Sequence, residues 1–145
     1  MPSIVSYQKY SDASISRELL FPEDPETRQR LGVELATIDG VTYVSLPDGV
    51  KLPADQPKEI VDSIKPVTLT VQEKAGIADA SPHVALIRAK VRQEIAGRLS
   101  IEDELGLIRS KLRAPAAANA AFEAYDSLAE GARSRAAAEK AKLGL

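Results

Sequence analysis

SPHVALIRAKVRQEIAGRLSIEDELGLIRSKLR, residues Ser81–Arg113, reads as two amphipathic helices with a short break at Gly97–Ser100. Ser81 is a preferred N-cap residue, and Pro82 is tolerated at the first helical position because that amide would be unpaired anyway. Val84, Ile87, Val91 and Ile95 then recur at steps of three and four, which makes one apolar stripe. Arg88, Lys90, Arg92 and Glu94 lie mostly off it, and Gly97 is a stop signal. Ser100 caps the next helix, whose stripe is Ile101, Leu105, Ile108 and Leu112, widened by Leu107. Its first turn carries Glu102, Asp103 and Glu104, and its last carries Arg109, Lys111 and Arg113. That polarity complements the helix macrodipole by about a few tenths of a kcal/mol per charge, so the acidic triplet needs no chemical role.

Downstream, an Ala-rich segment predicts a third helix over 118–143, since Ala is the best helix former. Phe122, Tyr125, Ala129, Ala132, Ala136 and Leu143 fall at helical spacing. A stripe made mostly of Ala permits close helix approach but buries little area, and fraying is expected from Gly131 onward.

Upstream, Val33-Glu-Leu-Ala-Thr-Ile and Val41-Thr-Tyr-Val-Ser-Leu flank Asp39-Gly40. Two β-rich runs separated by Asp-Gly predict a hairpin with a type I′ turn, which needs positive φ at both central residues. Pro47-Asp48-Gly49 is a second turn, after which Val50-Lys-Leu is a candidate third strand. Residues 53–67 are interrupted by Pro53, Pro57 and Pro66. They suit one short helix capped by Asp55, with Ile60, Val61 and Ile64 inward. Thr70-Val-Gln-Glu73 matches a capping box and starts a short helix near Val71, with Val71, Ala75 and Ala78 on one side. Residues 1–32 carry the weakest signals. Ile4–Tyr7 suits a short strand and Ser14–Leu20 a helical turn with Ile15, Leu19 and Leu20 on one face, which Pro22 and Pro25 bring to an end. The segment reads either as an extended arm or irregular stretch that orders against a partner or the domain body, or as regular elements. Together these signals predict an α+β fold: an arm over 1–32, a small hairpin-containing region with a short helix over 33–80, and a three-helix region over 81–145.

Composition limits the function. The 145 residues suit one domain or a small domain with an arm. With six aromatic residues and no Trp, the core is thin, and thin cores gain stability by oligomerising. Net charge is −2, so no global field argues for nucleic acid or membrane. The balance is uneven, with 8 basic and 13 acidic side chains over 1–80 against 11 and 8 over 81–145. The absence of cysteine excludes disulfides and thiolate metal sites. No apolar run approaches the roughly 20 residues of a membrane span, and no signal-peptide pattern is present, so the expected compartment is the cytoplasm.

Chemistry finds little to work with. His83 is the only histidine, in a first helical turn, where a surface or capping role outweighs a catalytic one. Glu102, Asp103 and Glu104 diverge around their helix, so a solvated first turn outweighs a cation site. Ser6, Ser45, Ser63 and Ser100 lack a nucleophile-elbow context, and the glycines make neither a dinucleotide nor a Walker-type loop. The two central helices could imitate a helix-turn-helix, making a small DNA-binding regulator conceivable. Carboxylates at the start of the would-be recognition helix, however, would repel DNA. The expectation is a non-enzymatic protein with no cofactor and no metal.

Four pieces carry a family likeness: Val84-Ala-Leu-Ile, Ser100-Ile-Glu-Asp-Glu-Leu, Phe122-Glu-Ala-Tyr and Ala138-Glu-Lys-Ala-Lys. With them, the second half of the chain resembles small tail-associated proteins of tailed bacteriophages and prophages. Asp39-Gly-Val-Thr-Tyr-Val-Ser-Leu-Pro-Asp-Gly49 looks like a piece of small fibre-attachment proteins. The resemblance implies a structural component of the tail tip, baseplate or fibre attachment, located in the virion tail after assembly in the host cytoplasm. It also admits, as the alternative, a fibre-assembly chaperone that does not stay in the particle, although an extended N-terminal arm suits a retained part. The implied partners are other tail proteins and further copies of the chain, a trimer among the options, with no nucleic acid and no membrane. The candidate interaction residues are Val84, Ile87, Val91, Ile95, Ile101, Leu105, Ile108, Leu112, Phe122 and Tyr125; the competing reading is that the same stripes are a private core.

Overall fold

Asp39 and Gly40 adopt φ of 50° and 78°, both left-handed, as a type I′ turn demands. They join strands β4 (Val33–Ile38) and β5 (Val41–Leu46), the two runs the hairpin signal marks. In the computed structural model, which describes residues 1–117 and 119–145, the fold is α+β, with a sheet in the N-terminal half followed by C-terminal helices. The chain divides into two compact units, Met1–Ala85 with Lys140–Leu145, and Leu86–Glu139.

In the first unit the hairpin belongs to a four-stranded antiparallel sheet that also contains β1 (Ser3–Tyr7) and β6 (Lys65–Val67), in the order β4-β5-β1-β6. Strand β1 lies in its interior, pairing with β5 from Ser3↔Leu46 to Tyr7↔Thr42 and with β6 from Ile4↔Val67. The short strand expected at Ile4–Tyr7 thus forms, and this part of 1–32 orders against the body of its own unit, because Ile4, Val5 and Tyr7 offer apolar side chains to both faces. Two minimal strands, β2 (Tyr10–Ser11) and β3 (Ser16–Arg17), pair with each other. The helical turn expected at Ser14–Leu20 is therefore absent. Of its three apolar residues only Leu19 is buried. Leu20 is instead held like a strand residue, its amide donating to Gln56 Oε1 and its carbonyl accepting from Gln56 Nε2, both at 2.9 Å. Nor does Val50–Leu52 form a strand; β6 takes the sheet edge instead, a place where Pro66 is tolerated.

Period-two alternation sorts the sheet's side chains into two clusters. Val5, Tyr7, Val44 and Leu46 face Leu19 and Ile60, with Phe21, Leu52 and Ile64 at the margin. Ile4, Leu35 and Ala36 face Ile77, with Leu143 and Leu145 among the partly buried neighbours. Leu35 and Ala36 share one cluster although adjacent, because the register shifts between Glu34 and Ala36, a bulge that re-aims one of them. Gly32, at φ 102°, lies so close to the sheet that an added Cβ would sit 2.8 Å from a Leu46 methyl and 3.0 Å from the Ser45 carbonyl.

The short helices depart from expectation in their extent and in their inward faces. Helix α1 covers only Lys58–Val61, preceded by Pro57 rather than capped by Asp55; Ile60 is buried and Val61 is exposed. Helix α2 (Val71–Ala80) starts at Thr70 with a complete capping box. Its inward residue is Ile77, which corrects the assignment to Val71, Ala75 and Ala78: Val71 is 86% exposed. Helix α3 (Pro82–Ala96) begins as expected after Ser81, whose carbonyl accepts from Ala85 N–H at 3.0 Å, but the Ser81 hydroxyl is buried without a hydrogen bond instead of capping.

The second unit holds the rest of α3, helix α4 (Ile101–Arg113) and most of α5 (Ala120–Lys142). Gly97 stops α3, and the Ser100 hydroxyl caps α4 by accepting from Asp103 N–H at 3.1 Å. Asn119 opens α5, its side-chain oxygen accepting from Phe122 N–H at 3.0 Å; Ala118, the expected start, lies outside the described residues. Helix α5 runs unbroken through Gly131, so the expected fraying there does not occur.

Candidate interaction surface

The ten candidate residues separate by burial. Val84, Ile87 and Tyr125 are buried within the chain itself, so these three are core rather than interface. Val91, Ile95, Ile108 and Phe122 are half-buried. Ile101, Leu105 and Leu112 are exposed, at 70%, 45% and 73%. Helix α4 buries none of its residues fully. At 100° per residue, Ile101, Leu105, Ile108 and Leu112 fall within about 60° of arc, so three exposed branched side chains and one half-buried neighbour line one face.

The way α4 meets α5 explains which side is left open. Tyr125 donates its hydroxyl hydrogen to Glu104 Oε1 at 2.5 Å. The Lys111 ammonium stands 5.7 Å from the centre of the Phe122 ring, whose own centre is 6.1 Å from that of Tyr125. Asn119 Nδ2 donates to the Ser110 hydroxyl at 3.3 Å. Glu104, Leu107 and Lys111 share the α4 flank turned to α5, and Leu107, Gly106 and Leu99 line a groove there with Ala124, Tyr125 and Leu128. Glu102 also borders this groove at its outer edge; with Arg109 it lies on the side of α4 away from Lys111, both exposed and, among the described residues, without an ion-pair partner.

Helix α5 presents Tyr125, Ala129 and Ala132 inward, the Ala-rich stripe read in the sequence. Ion pairs tie α5 to α3 within this unit: Arg135 with Glu94, and Lys90 with Glu139 at 3.6 Å. All four side chains are substantially exposed, so each pair contributes well under about 1 kcal/mol. The hydrogen bond to the Glu104 carboxylate raises the Tyr125 pKa above its ordinary value, with burial adding to the rise.

Among the exposed apolar residues outside the sequence-derived set are Val71 of α2 and Leu86 of α3. Leu86 falls on the far side of α3 from Val84 and Val91, where a stripe search does not look. His83 is exposed in the first turn of α3. Among the described residues no three His, Asp or Glu side chains converge as a metal site, and no helix is long and apolar enough to cross a membrane. Tyr7 is buried, and its hydroxyl forms no well-aligned hydrogen bond. Loss of solvent raises its pKa, while the Leu19 backbone nearby works in the opposite direction.

Compared with known proteins, the chain matches no family model, no curated protein and no solved structure.

Proposed function

We propose that the chain is a non-enzymatic part of a bacteriophage tail, at the tip, baseplate or fibre attachment, and that it holds its neighbours through the open face of α4. The observation that supports a binding role is the exposure of Ile101, Leu105 and Leu112 along one helix face. Aligned apolar side chains left in water are worth covering at roughly 25 cal/mol per Å² removed from solvent. The tail setting rests on the likeness of Ser100-Ile-Glu-Asp-Glu-Leu, Phe122-Glu-Ala-Tyr and Ala138-Glu-Lys-Ala-Lys to tail-associated proteins.

The fibre-assembly chaperone stands beside this reading for a specific reason. A free N-terminal arm would speak for a retained part, and β1 lies inside the sheet. Mass spectrometry of purified particles separates the two, since only a structural part is found in them. For either role, Leu105→Glu combined with Leu112→Glu should weaken capture of neighbouring tail proteins by the purified chain at least about tenfold, with the helical circular dichroism unchanged. A chain that captures none of those proteins even as wild type would sink both.

A further inference from the structure

We infer that the open face of α4 pairs with α4 of a second copy of this chain, antiparallel about a twofold axis. The inference rests on α4 being a binding face and adds what binds it. A twofold interface must be complementary to itself, and α4 has that property in both its apolar and its charged residues. Ile101, Leu105, Ile108 and Leu112 run in steps of four, three and four, the a/d spacing of a two-helix seam. Reversing the helix about a point between Leu105 and Ile108 brings Ile101 opposite the partner's Leu112 and Leu105 opposite the partner's Ile108. The same reversal lays the acidic first turn of Glu102, Asp103 and Glu104 along the partner's basic last turn of Arg109, Lys111 and Arg113.

The flanks single out one pair. Glu104 is already engaged by Tyr125, and Lys111 lies near Phe122. On the open flank, Glu102 comes alongside the partner's Arg109, and the symmetry repeats the pair. A parallel dimer or trimer would instead set three carboxylates beside three carboxylates and align the helix dipoles in the same sense. The 13 residues of α4 give a seam about 20 Å long and about 10 Å wide. This falls short of the roughly 1,200 Å² that stable assemblies bury, so the dimer is weak and depends on concentration.

Analytical ultracentrifugation of the full chain tests this. The wild type should pass from monomer to dimer as its concentration rises, and Leu105→Glu should abolish the dimer. Glu102→Arg and Arg109→Glu should each weaken association about tenfold, because each turns two attractive contacts into repulsive ones. Mixing those two variants should restore association, since every flanking pair in the mixed dimer is again opposite in charge. A monomer at about 1 mM, a trimer, a dimer indifferent to Leu105→Glu, or no rescue on mixing would each overturn the inference. Capture of tail proteins is read separately. A chain that dimerises without binding them keeps this inference and loses the proposed function, and the reverse result does the opposite.

Discussion

The Glu73 carboxylate accepts from the Thr70 amide and from the Thr70 hydroxyl, each at 2.7 Å, while Thr70 Oγ1 accepts from Glu73 N–H at 3.3 Å. The Thr70 amide, and after it the hydroxyl, holds the Glu73 pKa below the ordinary carboxylate value. A carboxylate whose folded pKa is depressed adds stability that is present above its unfolded pKa and is lost as pH falls through the folded one. Thr70→Ala should therefore lower stability by about 1 kcal/mol near neutral pH. The deficit should shrink as the solution is acidified below the ordinary carboxylate range, where the wild type loses the same contact. Urea denaturation of both proteins across that range measures it; a deficit independent of pH would refute the contact between the Thr70 hydroxyl and the Glu73 carboxylate, since the Thr70 amide still reaches Glu73 in the variant. This cap and the Asp39-Gly40 turn are legible in the sequence because each is made by residues within three positions of one another. The burial of the Tyr7 and Ser81 hydroxyls is not legible, because it arises from what distant strands and helices lay over them.

At the scale of elements, the long helices announce themselves through spacing and caps, and the short elements do not. Strand β1 has five residues and its partner β5 lies more than thirty positions away, so no local pattern tells an interior strand from a loose arm. Prolines at 53 and 57 likewise leave α1 only one turn, where a run of apolar residues suggests more. The apolar stripe of α4 is plain from its periodicity, but periodicity alone does not say that α5 covers one flank and leaves the crest open. The hydrogen bond from Tyr125 to Glu104 is the shorter of two polar links, with that from Asn119 to Ser110, that hold this geometry. Tyr125→Phe should cost about 1 kcal/mol, a bond to a charged group discounted for partial exposure. It should also raise amide exchange in the first turns of α4 more than in α3, as hydrogen exchange read residue by residue would show. Uniform exchange across the unit would argue that the bond contributes nothing.

For the molecule as a whole, the first unit is assembled from segments far apart in the sequence. Ile4 of β1 shares a cluster with Leu35, Ala36 and Ile77, and Leu143 and Leu145 pack against it. Gly144 between them takes φ 80° and comes so close that an added Cβ would stand 3.0 Å from Ile4 Cδ1. Leu143→Ala and Leu145→Ala should each destabilise this unit by about 1–2 kcal/mol, less than for fully buried leucines. Chemical denaturation followed by tyrosine fluorescence, to which Tyr43 beside this cluster contributes, would register the loss. An unchanged midpoint would show that these two leucines are ornamental. The sequence places Leu143 at the tail of a helical stripe but does not reveal that it returns to the first strand, since nothing near residue 4 or residue 143 encodes the other.

That closure reaches into the protein's synthesis. Strand β1 leaves the ribosome long before residues 143–145, yet part of one face of its sheet waits for them to clear the exit tunnel. Through the intervening translation the nascent chain carries an uncovered greasy patch on a sheet that is otherwise ready to form. Intermediates of that kind are where chains stick to one another, so high-level expression should lean on holding chaperones until Leu143 and Leu145 have left the tunnel.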